Sequence, residues 1–430
     1  MSMKWEFRLV RDPLYGFAGL SKRESQLLDT VVMQRLSRIK QLAHTYIVYP
    51  SAVHTRIEHS LGALYIAGRV SDQLKLTQKQ KQVIRIAALL HDIGQGPFSH
   101  IFEEPMRWIN GEEYTHEDVT KLIIEHEPEI GRILGNVKQD VLEVFKGESL
   151  SSDMISGSLD VDKLDYLRRD SYHTGVAYGL FDLERVIRTM CRISEAGRDY
   201  LAVREKGKDA LESYRLARYA MHTQVYEHHT RLIADDMFLK AIRLAFDDGS
   251  LVKEDYEISG DLNKFIANFL KLDDYSIQHS ILQNSTGIAK NLIQNIRNRK
   301  LLKRAIVVPL TRWGVENPIV RKAIIEMSRK EIEAVEKRIA NELGIEKGYV
   351  VVHLQSIKIK LYERFEQTLG EEEKPIYVKR RDGSIFSFDE ESPISASLTP
   401  IRRLYVFCPM KFVSRTKEIA EDIFKVKSHF

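Results

Sequence analysis

The chain has 430 residues, 43% of them hydrophobic and 29% charged, the make-up of a soluble globular protein with length enough for two or three domains. A formal charge of +4, from 65 basic and 61 acidic side chains, demands neither a nucleic-acid nor a membrane partner. Two distant cysteines, Cys191 and Cys408, exclude a disulfide framework; with no secretory signal core and no run of about 20 apolar residues, the chain is expected in the cytoplasm.

In chain order, residues 1–20 read as an extended arm punctuated by Asp12-Pro13 and Tyr15-Gly16. Ser21 and Glu24 form a capping box for a helix predicted to run to Gln41. Apolar spacing then predicts helices over Arg56–Leu74, Thr77–His91, Tyr114–Glu127 and Gly131–Glu148, with SLSSDMISGS as a small-residue loop after them. Leu159–Gly175 is a further helix. Asp162, Tyr166, Arg169 and His173 would line one stripe of it, with Lys163, Tyr166 and Asp170 on the next. A hairpin over 193–210 precedes a long helix, Leu211–Phe246. Beyond about residue 300 the texture changes to strands at Ala305–Pro309, Tyr349–Leu354, Ile376–Lys379, Ile385–Phe388 and Arg403–Phe407, mixed with helices over Val320–Leu343 and Arg415–Phe424. The expected fold is therefore mostly α, a helical domain over 1–300 followed by a smaller α+β domain over 301–430.

The chemistry concentrates around His91-Asp92, which ends an apolar helix beside Gly94 and a Gly-Pro loop. His59, His91, Asp92 and Asp162, each on a predicted helix, make a set of two imidazoles and two carboxylates. Such a set suits Mn²⁺, Fe²⁺, Ni²⁺, Zn²⁺ or Mg²⁺. A lone histidine on an apolar helix face is more often a satisfied core residue, so His59 draws its weight from the other three. His100 with Glu103, and His116 with Glu117, are candidate acid–base groups. Arg56, Lys163, Arg215 and Arg218 are cations able to neutralise a polyphosphate. The bland alternative, a solvated charged helix face, does not need the tyrosines and histidines interleaved in DVDKLDYLRRD.

Four segments in order carry a resemblance: HTRIEHSLG, LLHDIGQGPFSH, YTHE and DVDKLDYLRRD, within residues 34–240. The set resembles the HD-domain metal-dependent phosphohydrolases. More narrowly it is similar to their dNTP triphosphohydrolase branch, which includes bacterial dGTP triphosphohydrolases and the vertebrate SAM-and-HD-domain enzyme. The resemblance implies a helical HD bundle that cleaves a deoxynucleoside triphosphate to deoxynucleoside and triphosphate. It implies one divalent metal ion on His59, His91, Asp92 and Asp162. His100, oriented by Glu103, would protonate the leaving oxygen, and His116 with Glu117 would form a second acid–base pair. Arg56, Lys163 and Arg218 would bind phosphate. Gln41 and Asp170 would meet the 3′-hydroxyl, and Tyr166 and Tyr226 would pack on the sugar. A homo-oligomer, dimer or tetramer, and a nucleotide activator are also implied. Two departures stand out: Gln95 replaces a histidine of the family pattern, and Ala43-His44-Thr45 replaces a glycine run. The alternatives are an HD nucleotidase or phosphodiesterase for other nucleotides, and a nucleic-acid-binding protein on a silent HD fold.

Overall fold

In the computed structural model, which describes residues 7–147, 149–195, 197–258, 260–357, 375–398 and 401–428, the chain opens on an antiparallel hairpin. Strands β1 (Arg8–Asp12) and β2 (Gly16–Leu20) pair in register from Arg8 opposite Leu20 to Asp12 opposite Gly16. Gly16 takes the turn at φ +79°, which glycine adopts without strain. Over residues 7–20 the predicted arm is thus a ribbon that folds on itself; its first six residues lie outside the described ones.

The capping box of Ser21 and Glu24 forms as expected, but its helix stops at Leu28. Thr30 breaks it. Its hydroxyl donates to the Leu27 carbonyl and accepts from the Met33 amide, so that it ends one helix and caps the next, Val31–Arg35.

Three helices carry the candidate site. They are α1 (Arg56–Gln73), α2 (Gln78–Leu90) and, beyond α3 (Glu103–Asn110) and α4 (His116–His126), α5 (Val161–Thr174). Leu61 and Leu64 of α1, Ile84 and Leu89 of α2, and Leu164 and Leu167 of α5 are buried. SLSSDMISGS is a helix in its middle, Leu150–Ser156, and not a loop. Ser149 caps it, and Met154 and Ile155 give it a buried face. The predicted helix Leu211–Phe246 divides into α6 (Lys208–Met221), a π-helical turn over His222–Tyr226, and α7 (His229–Asp247).

The chain forms two compact units, neither continuous in sequence. The first draws on Met1–Met221, Lys253–Ile277 and Lys360–Leu398; the second on His222–Val252, Gln278–Ile359 and Thr399–Phe430. Besides its helices the first unit holds a four-stranded sheet. The predicted hairpin, β3 (Met190–Glu195) with β4 (Arg198–Arg204), joins a second one made of Tyr377–Lys379 and Ile385–Ser387 through a parallel pairing.

The second unit contains β5 (Lys303–Pro309) and β6 (Val351–Ile357). The hairpin strands of the first unit being β7 and β8, its third strand is β9 (Ile401–Cys408), which runs antiparallel between the other two. Helices α8 (Arg329–Leu343) and α9 (Val413–Phe424) cover this sheet around Ile306, Val308, Ile339, Val406 and Ile419. The fold is mostly helical with a C-terminal α+β region, as expected. Among the described residues no helix is long and apolar enough to cross a membrane.

Candidate metal centre

Helix α2 ends at Leu90, and the next two residues supply the imidazole and the carboxylate. Gly94 follows for a reason that composition does not reveal. A Cβ there would lie 2.2 Å from the His116 carbonyl and 2.4 Å from the Thr120 amide, so α4 packs directly on its backbone. Thr120 ties the contact, accepting from the Gly94 amide and donating to the His91 carbonyl.

His91 Nδ1 lies 2.8 Å from the Ala88 carbonyl, which can only accept. His59 Nδ1 lies 2.8 Å from Asp165 Oδ2. Both rings therefore carry a proton on Nδ1, and the two Nε2 atoms, the ends left for a metal ion or in its absence a second proton, face each other 3.2 Å apart. Asp162 Oδ1 sits 2.8 Å from His59 Nε2 and 3.7 Å from His91 Nε2. Asp92 closes the set at 3.5 Å from His91 Nε2 and 3.9 Å from His59 Nε2. Two imidazole lone pairs and two carboxylates converging in a space that only Asp162 leaves partly open to solvent repel one another unless a cation lies among them. His59, His91 and Asp162 have the mutual spacing of a metal-binding group, with Asp92 beside them. These residues fit a divalent ion.

The field of the cluster agrees. Burial lowers the His59 pKa, but the hydrogen bonds and charges of Asp162 and Asp165 outweigh it and raise the group to about 10. Burial likewise pushes Asp92 up, and Arg56, His91 and His59 together hold it far below the usual carboxylate range. The site attracts positive charge.

The remaining candidates fall as follows. Arg56 is buried; its Nη1 pairs with Asp92 Oδ2 at 2.7 Å and its Nε donates to Ser99 Oγ at 2.9 Å. The cation expected at phosphate is here engaged with a candidate ligand. Lys163 Nζ bonds Asp160 Oδ2 at 2.7 Å and the Gly157 carbonyl at 3.0 Å. Arg218 is close enough to Lys163 and Tyr166 to bear on their ionisation, so these three share one region. Arg215 instead makes a two-pronged pair with Asp389. Tyr166 stands edge-on to His59, with ring centroids 6.4 Å apart. Asp170 Oδ1 bonds His54 Nε2 at 2.7 Å, and the Gln41 amide donates to the His54 carbonyl, so His54 gathers both sugar candidates. Gln41 Oε1 is buried and has no partner among the described residues. Tyr226 lies in the second unit.

The HD domain family matches residues 56–170, and its HD associated region matches 181–429. An uncharacterized protein of Methanocaldococcus jannaschii is 32% identical over 416 residues, 96% of this chain and 81% of that protein. The chain belongs to the HD-domain family. This HD-domain chain is also 28% identical over 348 residues to the zebrafish deoxynucleoside triphosphate triphosphohydrolase SAMHD1, matching 69% of itself and 55% of that protein. The crystal structure of a phosphohydrolase from Bacteroides thetaiotaomicron superposes with a TM-score of 0.73 at 26% identity, covering 93% of this chain and 99% of that one. The HD-domain chain is a metal-dependent phosphohydrolase.

A second cluster of this HD-domain protein stands on the loop after Pro97 and on α4. Phe98 and Ser99 take left-handed backbone, φ +57° and +60°, a costly pair for side-chain-bearing residues. The bend is held by the Asp274 carboxylate on the Phe98 amide and by Ser99 Oγ on the Lys40 carbonyl. It presents His100, exposed, to α3. Glu103 Oε1 lies 2.8 Å from Nδ1 of both His100 and His116, while Arg107 holds Oε2. The sequence pairing of His116 with Glu117 does not form: His116 is spoken for by Glu103, and Glu117 is exposed on the first turn of α4. One carboxylate thus fixes the tautomer of two imidazoles and leaves both Nε2 atoms for proton transfer.

Glu103→Gln is expected to cut turnover by about 10²-fold with metal content unchanged, because one amide oxygen without charge replaces a shared carboxylate. Burial raises the Glu103 pKa, but His100 and His116 lower it much further. The sign follows. A depressed carboxylate stabilises the fold above its unfolded pKa and loses that contribution as pH falls below the ordinary carboxylate range. Acid unfolding of the variant should therefore be shallower than that of the parent. Equal turnover, or equally steep acid unfolding, would count against the shared role.

Residues that sequence reasoning missed are Asp165, His54, Arg35 and Ser99. Asp165 had one signal: an acid four residues before Arg169, set between Leu164 and Leu167.

Proposed function

We propose that this chain hydrolyses deoxynucleoside triphosphates at the α-phosphate, giving deoxynucleoside and triphosphate. The observation that carries the reading is the order of groups along α5. Asp162 joins the metal cluster, Lys163 and Tyr166 share a region with Arg218, and Asp170 meets His54 beside Gln41. From Asp162 to Asp170 the helix rises about 12 Å, the scale of a nucleotide laid along it. The name of the zebrafish relative supports the same substrate class.

A bound divalent ion would hold a phosphate oxygen and lower the pKa of water there. His59, His91, Asp92 and Asp162 would hold that ion. Lys163 and Arg218 would neutralise the polyphosphate, and Gln41 Oε1 or Asp170 would accept the one hydrogen bond that the sugar hydroxyl donates. Water adds its oxygen to the α-phosphorus as the bond to the 5′-oxygen breaks. His100 or His116 gives its Nε2 proton to that oxygen and regains one from the attacking water.

Turnover of the four dNTPs and four rNTPs, with Mn²⁺, Mg²⁺, Fe²⁺, Ni²⁺ or Zn²⁺ added to chelated protein, tests this. Deoxynucleoside and intact triphosphate are expected from dNTPs, with loss of activity on chelation. Stepwise release of single phosphates, or equal use of ribonucleotides, would replace the reading with an HD nucleotidase or phosphodiesterase. Assembly as a dimer or tetramer and activation by a nucleotide belong to the same proposal. Gel filtration with and without dNTP tests both.

A further inference from the structure

The N-terminal hairpin ends on an array of buried charges that leads to His59. Asp12, at the end of β1, accepts from the Leu14 and Tyr15 amides through Oδ1 and pairs with Arg169 Nη2 at 2.8 Å through Oδ2. Arg169 is fully buried, and it clasps Asp165 with Nε at 2.8 Å and Nη2 at 3.0 Å. Tyr15 Oη donates to Asp165 Oδ1 at 2.8 Å, and its ring stacks on Tyr65 of α1 at 4.8 Å. Asp165 Oδ2 then accepts from His59 Nδ1. Every lone-pair direction of Asp165 that faces these groups is used.

Two features show that this arrangement is built. Gly62, one turn after His59, faces the Asp165 and Arg169 side chains of α5. A Cβ there would stand 2.0 Å from Asp165 Oδ1 and 2.3 Å from Arg169 Nη2, so no other residue leaves space for the pair. The charges also do not cancel. Asp12, Arg169 and Asp165 sum to one negative charge in a dry setting, aimed through the imidazole at the converging Nε2 atoms.

We infer that Asp165 is a positioning residue for the metal ligand His59, and that the hairpin, through Tyr15 and Asp12, is part of the metal centre although it contributes no ligand. A carboxylate behind a ligating histidine fixes its tautomer and raises its basicity. Here that carboxylate is itself held by Tyr15, a residue 150 positions earlier in the chain. The inference rests on reading His59 as a metal ligand.

The test is Mn²⁺ affinity of the full chain after chelation, counted by electron paramagnetic resonance of free Mn²⁺, with no substrate present. Asp165→Asn, which keeps the shape and loses the charge, is expected to weaken binding about 10- to 100-fold. Tyr15→Phe removes one hydroxyl and should weaken it less, on the order of severalfold, with the circular dichroism of the chelated protein unchanged. Phe17→Ala, on the exposed side of the same hairpin, should bind like the parent. If Asp165→Asn does not fold, Tyr15→Phe decides alone. Parental affinity in Tyr15→Phe and in any folded Asp165→Asn, with affinity lost in His59→Ala, would overturn the inference. Parental affinity in His59→Ala would instead remove the ligand reading beneath it.

Discussion

Asp92→Ala is expected to abolish metal-dependent hydrolysis and, separately, to unfold the metal-free protein well below the parent. The first effect follows from the donor set. Asp92 is one of two carboxylates facing the paired Nε2 atoms, and without it half of the negative charge that holds a divalent ion is gone. A loss of about three orders of magnitude in turnover, equivalent to about 4 kcal/mol of transition-state stabilisation, is the scale to expect. The second effect comes from Arg56. Its guanidinium is buried, and Asp92 is the carboxylate on its Nη1. Removing one partner of a buried ion pair costs about 3–5 kcal/mol, because the other charge stays in the dry interior. Asp92→Asn separates the two effects. The amide oxygen can still accept from Arg56, so stability should fall less than in the alanine variant, while turnover is lost to a similar degree. Turnover with Mn²⁺ and thermal unfolding of the chelated proteins read the two effects independently. Activity within tenfold of the parent in either variant would remove Asp92 from the metal site.

The four metal candidates were legible because each ends or begins a strongly patterned helix, and the ordered residue types leave few other readings. Their convergence needed coordinates. What supports them was less visible, for a physical reason: the supporting groups are polar residues turned inward. Asp165 and Arg169 sit among leucines, and a pattern of charges along a helix does not say which of them is desolvated until a neighbouring helix, admitted here by Gly62, covers them. Helical periodicity puts Arg169 on one stripe with Asp162 and Tyr166, whereas its guanidinium reaches back to Asp165 and Asp12. The break in the predicted helix Leu211–Phe246 was hidden differently. A π-helical turn needs neither proline nor glycine, and the break that follows it falls at His228, whose extended backbone and ring nitrogen cap the next helix. At Ala43, where the family's glycine run is missing, the backbone still takes φ +47°. Left-handed backbone on an alanine is strained, and residue types alone do not reveal it.

Arg35→Met should be among the most destabilising single changes in the first unit, although Arg35 touches no ligand of the candidate centre. Its side chain is completely buried, lies over the Phe269 ring at 4.6 Å and donates to three carbonyls. These are Leu272 at 2.6 Å from Nε, Ile93 at 3.3 Å from Nη1 and Gln95 at 2.7 Å from Nη2. Burial lowers its pKa to about 10 against the pull of Asp273, and the guanidinium remains charged at neutral pH. Two of the three carbonyls flank Gly94, directly after Asp92, so Arg35 holds the loop that follows the His-Asp pair. Methionine matches the stem and its stacking but donates nothing. Each buried carbonyl left without a donor costs about 1–3 kcal/mol, so a loss of about 3–5 kcal/mol is expected. Arg35→Lys keeps the charge on a single point and cannot reach three carbonyls in one plane, so it should recover only part of that loss. Urea unfolding of the chelated proteins gives the stabilities, and Mn²⁺ affinity gives the consequence at the site, which should weaken in step as the loop behind Asp92 loosens. A methionine variant within about 1 kcal/mol of the parent, below the cost of even one orphaned carbonyl, would mean that the loop is held by its packing against α4 and not by this guanidinium.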